Sequence, residues 1–454
     1  MTTTATSSHS ATADPTPRNS WPHPDPSALL SAAGARPDRA RGFGPRSASL
    51  PDAIPLIGGA PSSDALPLAE ITRATQELTS DPSALAAALP YGAAPGRLGL
   101  RQWIAAREGV DPDRILVTNG AFHGLSLVFD ALLDPGDEVI VEEPTYPLVF
   151  RTLQTKDPSL LTLPLTADGV DVDALAARLR AGARPKLLYT IPDHHNPTGL
   201  VIPAEQRTRL LELAEHYGFV IVSDNAYRHL GFDAAEPDDH PTTSDRVVHV
   251  RTFSKLLGPG LRIGWVLAPT WLVPALLRLR ANHDQHTSGL VQAVVERVVT
   301  ADGAPHSAGD ALAGAAAAHA GTDVPQEPAD VSRGPADGLE VIARRARLLY
   351  GERFDRVARI LEDGLPGGIE VDHRTGGIFL WARVRDEGID LAAAQQLART
   401  RYGTDVTLGR YFYRDQPEDD RGHLRLGISH LPTEQLEEGA RRVVAALTDP
   451  EARR

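Results

Sequence analysis

A single lysine occupies a setting suited to covalent chemistry. In Arg251-Thr252-Phe253-Ser254-Lys255-Leu256-Leu257-Gly258-Pro259-Gly260-Leu261-Arg262-Ile263-Gly264 it lies in a hydroxyl- and glycine-rich loop. The β-branched run Val247-Val248-His249-Val250 precedes this loop, and a second strand is expected at 263–267. A lysine amine becomes a nucleophile when burial or nearby cations lower its pKa, and its characteristic partner is an aldehyde, as in a Schiff base with pyridoxal phosphate. Thr252, Ser254 and Arg262 would then hold a phosphate. Taken alone, a Ser-Lys pair in a polar loop is more commonly solvated surface.

Other segments end expected strands in the same way. Thr118-Asn119-Gly120-Ala121-Phe122-His123-Gly124 joins a strand to a helix, so free amides at Gly120, Ala121 and Phe122 suit an anion, although a tight turn also requires the glycine. Tyr146, in Glu143-Pro144-Thr145-Tyr146-Pro147, could lie flat on a ring or simply pack a loop. Ile191-Pro192-Asp193-His194-His195-Asn196-Pro197-Thr198-Gly199 reads as a turn, and its adjacent histidines should diverge on an extended loop rather than share a metal. Ser223-Asp224-Asn225-Ala226-Tyr227 puts an acid at a strand end, where it could cap a loop or face a pyridine nitrogen and keep it protonated. Tyr227 and Asn196 could then reach the ring's phenolate oxygen. Leu424-Arg425-Leu426-Gly427-Ile428 carries one arginine in an apolar strand, and a buried guanidinium demands a partner such as a substrate carboxylate.

These residues need a scaffold that brings strand ends together. Strands are expected at 115–118, 138–142, 186–191, 219–223 and 247–250, alternating with helices at 120–133 and 204–216. That order implies an α/β fold with a mostly parallel sheet covered on both faces. Residues 1–50 read as a disordered arm, 51–90 as a segment packing with a smaller domain, 91–300 as a large domain, 301–338 as a low-complexity insertion and 339–454 as the small α+β domain. The 454 residues contain no cysteine, which excludes disulfides and thiolate metal sites. No signal peptide or membrane span is legible, so a cytoplasmic protein with no membrane partner is expected. With 59 acidic and 46 basic residues the net charge is −13, which argues against a nucleic-acid partner.

Together the segments resemble the class I/II aminotransferases of the aspartate aminotransferase fold, which are fold type I pyridoxal phosphate enzymes. The shared motifs, in chain order, are Gly96-x-x-x-Leu100-Arg101, Glu143-Pro144-Thr145-Tyr146, Asn196-Pro197-Thr198-Gly199, Asp224-x-x-Tyr227, Ser254-Lys255-x-x-x-x-Gly260-Leu261-Arg262-Ile263-Gly264, Gly376-Gly377-x-Phe379 and Leu424-Arg425-Leu426. The resemblance implies a large domain with a seven-stranded sheet, a smaller domain, pyridoxal 5'-phosphate as cofactor, no metal, and a homodimer with its sites at the subunit interface. By the same resemblance Lys255 holds the cofactor aldehyde as an imine and moves the proton, and Asp224 pairs with the pyridine nitrogen. Tyr146 stacks on the ring, and Asn196 and Tyr227 reach its phenolate oxygen. The phosphate falls to Ala121, Phe122, Thr252, Ser254 and Arg262, with Tyr91 reaching in from the neighbouring subunit. Gly59, Asn196 and Arg425 meet the substrate.

The implied reaction moves an α-amino group from an amino acid to a 2-oxo acid by a ping-pong route. The chain looks most like the 2-aminoadipate, branched-chain and aromatic group. It departs from that pattern at Leu408-Gly409, where Pro-Gly is usual, at His195, where an amide is common, and in the insertion. Two other readings stand beside transamination: elimination, cyclisation or oxidation on the same fold, and a cofactor-binding regulator.

Overall fold

Runs such as Val139-Ile140-Val141, Leu187-Leu188-Tyr189 and Val220-Ile221-Val222 carry apolar side chains at successive positions, so a strand made of them must be covered on both faces. A computed structural model of the chain shows that arrangement. It describes residues 50–232, 239–301, 338–417 and 422–454, with 26–31, 35 and 43. The readings of 1–50 as an arm and of 301–338 as an insertion concern segments that, but for isolated positions, lie outside the described residues. Contacts divide the chain into Met1–Arg39, whose described part is chiefly the 3-10 turn Pro26–Leu29, and Ala40–Arg454, which holds all that follows.

Ala40–Arg454 begins with strand β1 (Ile54–Pro55) and helix α1 (Leu68–Ser80). The large sheet is built from β2 (Ile115–Thr118), β3 (Glu138–Glu143), β4 (Ser159–Thr166), β5 (Gly169–Val170), β6 (Leu187–Thr190), β7 (Val220–Asp224), β8 (Val247–Thr252) and β9 (Gly264–Leu267), in the order β2-β9-β8-β7-β6-β3-β4-β5. Neighbours from β4 through β8 run parallel, whereas β9 is antiparallel to both β8 and β2. The sheet has eight strands where the resemblance implies seven: β4 lies where no strand is expected from the sequence, and the two-residue β5 folds back antiparallel on it.

Strand alternation sorts the core into two layers. Val139, Val141, Leu187, Tyr189, Val220 and Val222 face one cluster. Ile140, Leu188 and Ile221 face another, closed by Leu175 and Leu179 of α2 (Val172–Arg180) and Leu210 and Ala214 of α3 (Ala204–Tyr217). Since Asp224 has the same parity as Val220 and Val222, it points to the face that Tyr189 occupies.

Helix α4 (Gly338–Gly364) leads into a four-stranded antiparallel sheet. That sheet is ordered β10-β11-β14-β13, from β10 (Ile369–Asp372), β11 (Phe379–Val384), β13 (Thr407–Leu408) and β14 (His423–Gly427), while β12 (Thr404–Asp405) pairs in parallel with β1 instead. Arg425 lies opposite Trp381 of β11 and Thr407 of β13. The Gly427 N–H donates to Leu56 O at 2.7 Å, and a Cβ there would stand 1.9 Å from Gly58 O. Only glycine lets the segment 56–59 cross so close to the end of β14. No helix among the described residues is long and apolar enough to cross a membrane.

Candidate active site

The carboxyl ends of β6, β7 and β8 are neighbours, so the loops that follow them converge although they are far apart in sequence. Lys255, three residues past β8, is partly buried, and its Nζ donates to Gly59 O at 2.8 Å. The same Nζ lies 5.7 Å from the Tyr227 ring centroid. Burial, and then the positive charges of Arg425 and Arg262, lower the Lys255 pKa to about 8, against the opposing pull of Asp224.

Asp224, the last residue of β7, is 7% exposed. Its Oδ2 accepts a hydrogen bond of 2.7 Å from the Tyr189 hydroxyl, while its Oδ1 is buried with no hydrogen-bonding partner among the described residues. Burial raises its pKa to about 6, moderated by the Tyr189 hydrogen bond and the Lys255 charge and reinforced by Glu142. Burial also holds the phenols of Tyr146, Tyr189 and Tyr227 above their ordinary range, so all three stay protonated near neutrality.

The Asn196 amide is fixed from both ends. Its Oδ1 accepts from Arg425 Nη1 at 2.9 Å and its Nδ2 donates to the Tyr227 hydroxyl at 3.4 Å. Arg425 is 2% exposed; its Nη2 donates to Ile57 O at 3.3 Å, and its Nε is buried with no hydrogen-bonding partner among the described residues. Aromatic rings surround this guanidinium, with Phe379 at 3.9 Å, Phe43 at 4.7 Å and Phe412 at 4.9 Å from its carbon to the ring centroid. Tyr146 stands 6.0 Å from Phe43, centroid to centroid. Burial lowers the Arg425 pKa to about 10, which leaves it charged at neutral pH.

A second group lies at the ends of β2 and β8. Gly120, at φ 81°, precedes helix Ala121–Leu132, so the amides of Ala121 and Phe122 open its first turn. Arg262, itself at φ 54°, donates from Nη2 to Asn119 O at 2.7 Å. Thr252 Oγ1 is 2.8 Å from Ser254 Oγ and accepts the Ser254 N–H at 3.1 Å. A Cβ on Gly120 would stand 2.6 Å from Arg262 Nη2, so glycine leaves room for the guanidinium beside the helix start.

Thus Lys255, Asp224, Tyr227, Asn196, Arg425, Gly59 and Tyr146 are linked by hydrogen bonds, ring contacts or charge, and Ala121, Thr252, Ser254 and Arg262 cluster at the neighbouring strand ends. Tyr91 is not joined to them: it is 88% exposed and stands edge-on to His286 at 6.0 Å. His194 and His195 diverge as expected, His194 Nδ1 lying 2.9 Å from Thr375 Oγ1 and His195 Nδ1 lying 3.1 Å from Thr198 Oγ1. Sequence reading missed Tyr189, Phe43, Phe412 and Glu142. For Tyr189 one signal was available, since a tyrosine inside a fully buried strand must find a partner for its hydroxyl.

The profile of the family described as aminotransferase class I and II matches residues 52–443. Aromatic-amino-acid aminotransferase 1 of Thermococcus litoralis is 28% identical over 410 residues, 88% of each chain. The crystal structure of α-aminoadipate aminotransferase from Thermus thermophilus, complexed with N-(5'-phosphopyridoxyl)-L-leucine, superposes with a TM-score of 0.75 at 26% identity, covering 92% of this chain and 98% of that one. Pyrococcus horikoshii kynurenine aminotransferase gives a TM-score of 0.74 at 27% identity, covering 87% and 91%. A match to the family profile over nearly the whole of Ala40–Arg454 means that this chain belongs to the class I and II aminotransferases and is a pyridoxal phosphate-dependent enzyme.

Proposed function

We propose that the loops ending β6, β7 and β8 form the site at which the protein exchanges an amino group between an amino acid and a 2-oxo acid, with Arg425 as the seat of the substrate carboxylate. The single observation that carries this is Arg425 Nε, a charged donor buried without a partner beside a lysine whose pKa is lowered to about 8. A buried, unmet guanidinium donor is costly unless a ligand completes it.

The residues present fit the cofactor. Asp224 Oδ1 is an unmet buried acceptor, and the loop at Gly120 leaves amides and Arg262 free of any Cβ between them. Asp224 would face the pyridine nitrogen, Tyr146 would cover the ring, and Asn196 and Tyr227 would take the phenolate oxygen. Ala121, Phe122, Thr252, Ser254 and Arg262 would hold the phosphate. When bound, pyridoxal phosphate supplies an aldehyde that takes up the amino group and a ring that accepts the electrons left by the α-proton.

The chain's own groups do the rest. Arg425 anchors the carboxylate and so fixes the α-carbon. The Lys255 amine, close to half neutral near pH 8, accepts and returns the proton at its Nζ. Gly59 O orients that amine from 2.8 Å. The rings of Phe43, Phe379 and Phe412 favour a substrate with an apolar or aromatic side chain, and exclude water from the guanidinium. The enzyme works in the cytoplasm, in amino acid biosynthesis, as a homodimer in which the exposed Tyr91 reaches the neighbouring subunit's phosphate site. The described residues 339–454 act as the smaller lobe against 91–300.

The test is a single-turnover measurement. With an aromatic or branched-chain amino acid alone, 2-oxo acid should form to one equivalent per site and stop; adding 2-oxoglutarate should restart it and release glutamate. Continuous ammonia or carbon dioxide release, or oxygen uptake, would show elimination, decarboxylation or oxidation instead.

A further inference from the structure

Besides Asp224, the face of the sheet beneath the site carries Tyr189, a second buried polar group whose hydroxyl, among the described residues, is hydrogen-bonded to that acid. Tyr189 is in the middle of the sheet on β6, 0% exposed, and its ring stands edge-on to Phe129 at 6.4 Å. Its hydroxyl donates to Asp224 Oδ2 at 2.7 Å. Sheet register explains the meeting: Tyr189 pairs with Val222, and Asp224 is two residues further along the same face of β7.

We propose that Tyr189 is a positioning residue that holds the Asp224 carboxylate through Oδ2 and weakens it as a base, so that Oδ1 remains the acceptor for a protonated ring nitrogen. The inference rests on the reading of Asp224 as the partner of the pyridine nitrogen. Two effects follow from one hydrogen bond. Direction is the first: with Oδ2 committed, the carboxylate plane is set and the unmet Oδ1 is the only oxygen left to meet the ring. Proton affinity is the second. A carboxylate that keeps a donor is a poorer competitor for the proton it shares with the ring, so the proton stays on nitrogen, where it makes the ring an electron acceptor.

Other groups around Asp224 cannot replace this donor. Lys255 acts on it through charge, and Glu142 opposes it as a like charge. Tyr146 and Tyr227 feel the Asp224 charge but give it no hydrogen bond. Glu142 is itself engaged by the Thr190 hydroxyl and by Ile191 N–H at 2.9 Å. The Tyr189 phenol, held protonated by burial and by the Asp224 charge, remains a donor across the working pH range.

The experiment uses holoenzyme loaded with cofactor isotopically labelled at the ring nitrogen, read by NMR for the protonation of that nitrogen across a pH series. In Tyr189→Phe, which keeps the ring and its packing, the proton shared with Asp224 should move toward the carboxylate, so that the protonated fraction of the nitrogen is lower than in the wild type wherever the pair holds one proton. The single-turnover rate of α-proton removal should fall roughly tenfold with substrate KM unchanged. Site-specific replacement of Tyr189 by a fluorinated tyrosine, a stronger donor of nearly the same volume, should move the nitrogen titration the opposite way; this arm decides the matter should Tyr189→Phe fold poorly. An unmoved nitrogen titration in both variants overturns the proposal. Asp224→Asn in the same measurement separates the two layers: if it too leaves the nitrogen unchanged, the reading of Asp224 fails, whereas a change there without one at Tyr189 defeats only the role of the tyrosine.

Discussion

At the scale of single residues, the site stores unfavourable electrostatics that its ligands relieve. Asp224 is the clearest case, because burial raises its pKa from 3.8 to about 6. Between those values the folded protein binds more protons than the unfolded chain, so stability falls as pH rises through about 4 to 6, and the penalty stands in full at neutral pH. Asp224→Asn should therefore stabilise the cofactor-free protein at pH 7 by on the order of 2–3 kcal/mol, a gain that disappears below about pH 4. Asparagine can still accept from Tyr189. Thermal unfolding at both pH values checks the sign, and an apoprotein destabilised at pH 7 would contradict it. Lys255 behaves alike: its pKa drops from 10.5 to about 8, so between these values the unfolded chain binds more protons and stability rises with pH. Residues strained in this way are commonly the working ones.

At the scale of elements, strand ends and helix starts place the chemistry. The turn from β2 into helix Ala121–Leu132 depends on Gly120, which needs φ 81° and has Arg262 Nη2 2.6 Å from where a Cβ would be. Gly120→Ala should move the helix start and displace the guanidinium, weakening cofactor binding about tenfold or more while costing roughly 1–2 kcal/mol of stability. Equilibrium dialysis of the cofactor and a denaturant titration measure the two effects separately. Unchanged affinity would remove this turn from the phosphate site. The elements least legible beforehand were β4 and β5. Ser159–Thr166 mixes Ser, Thr and a proline with leucine and buries only Leu163, so its strand character comes from its parallel pairing with β3 and not from its own pattern.

At the scale of the whole molecule, one chain leaves Tyr91 88% exposed, away from the residues it is expected to serve. A dimer that places it at the partner's phosphate makes a definite forecast. Tyr91→Ala and Lys255→Ala subunits should each be impaired at limiting cofactor, the lysine variant by at least about a hundredfold. When the two are mixed and allowed to exchange, hybrid dimers contain one site with both wild-type residues, so activity should return toward a quarter of the wild type. No recovery in verified hybrids would place Tyr91 in its own subunit's site or outside catalysis altogether.

The existence of most strands of the large sheet, and the presence of a lysine and an acid at strand ends and of an arginine inside an apolar strand, were determined by sequence alone, while the cofactor class followed from the family resemblance of the motifs. Each depends on local pattern: apolar runs, a glycine after a strand, a charged residue in an apolar segment. What only the tertiary structure decided was which of these groups meet and which atoms they leave unmet. Lys255 reaches Gly59 O across 196 positions of sequence, and Arg425 meets Asn196 across 229. Tyr189 meets Asp224 because β6 and β7 are adjacent and in a register that aligns Tyr189 with Val222. No local property of Leu187-Leu188-Tyr189 fixes that neighbour; the packing of two sheet faces does, since a one-residue slip would turn every side chain of the strand to the other face.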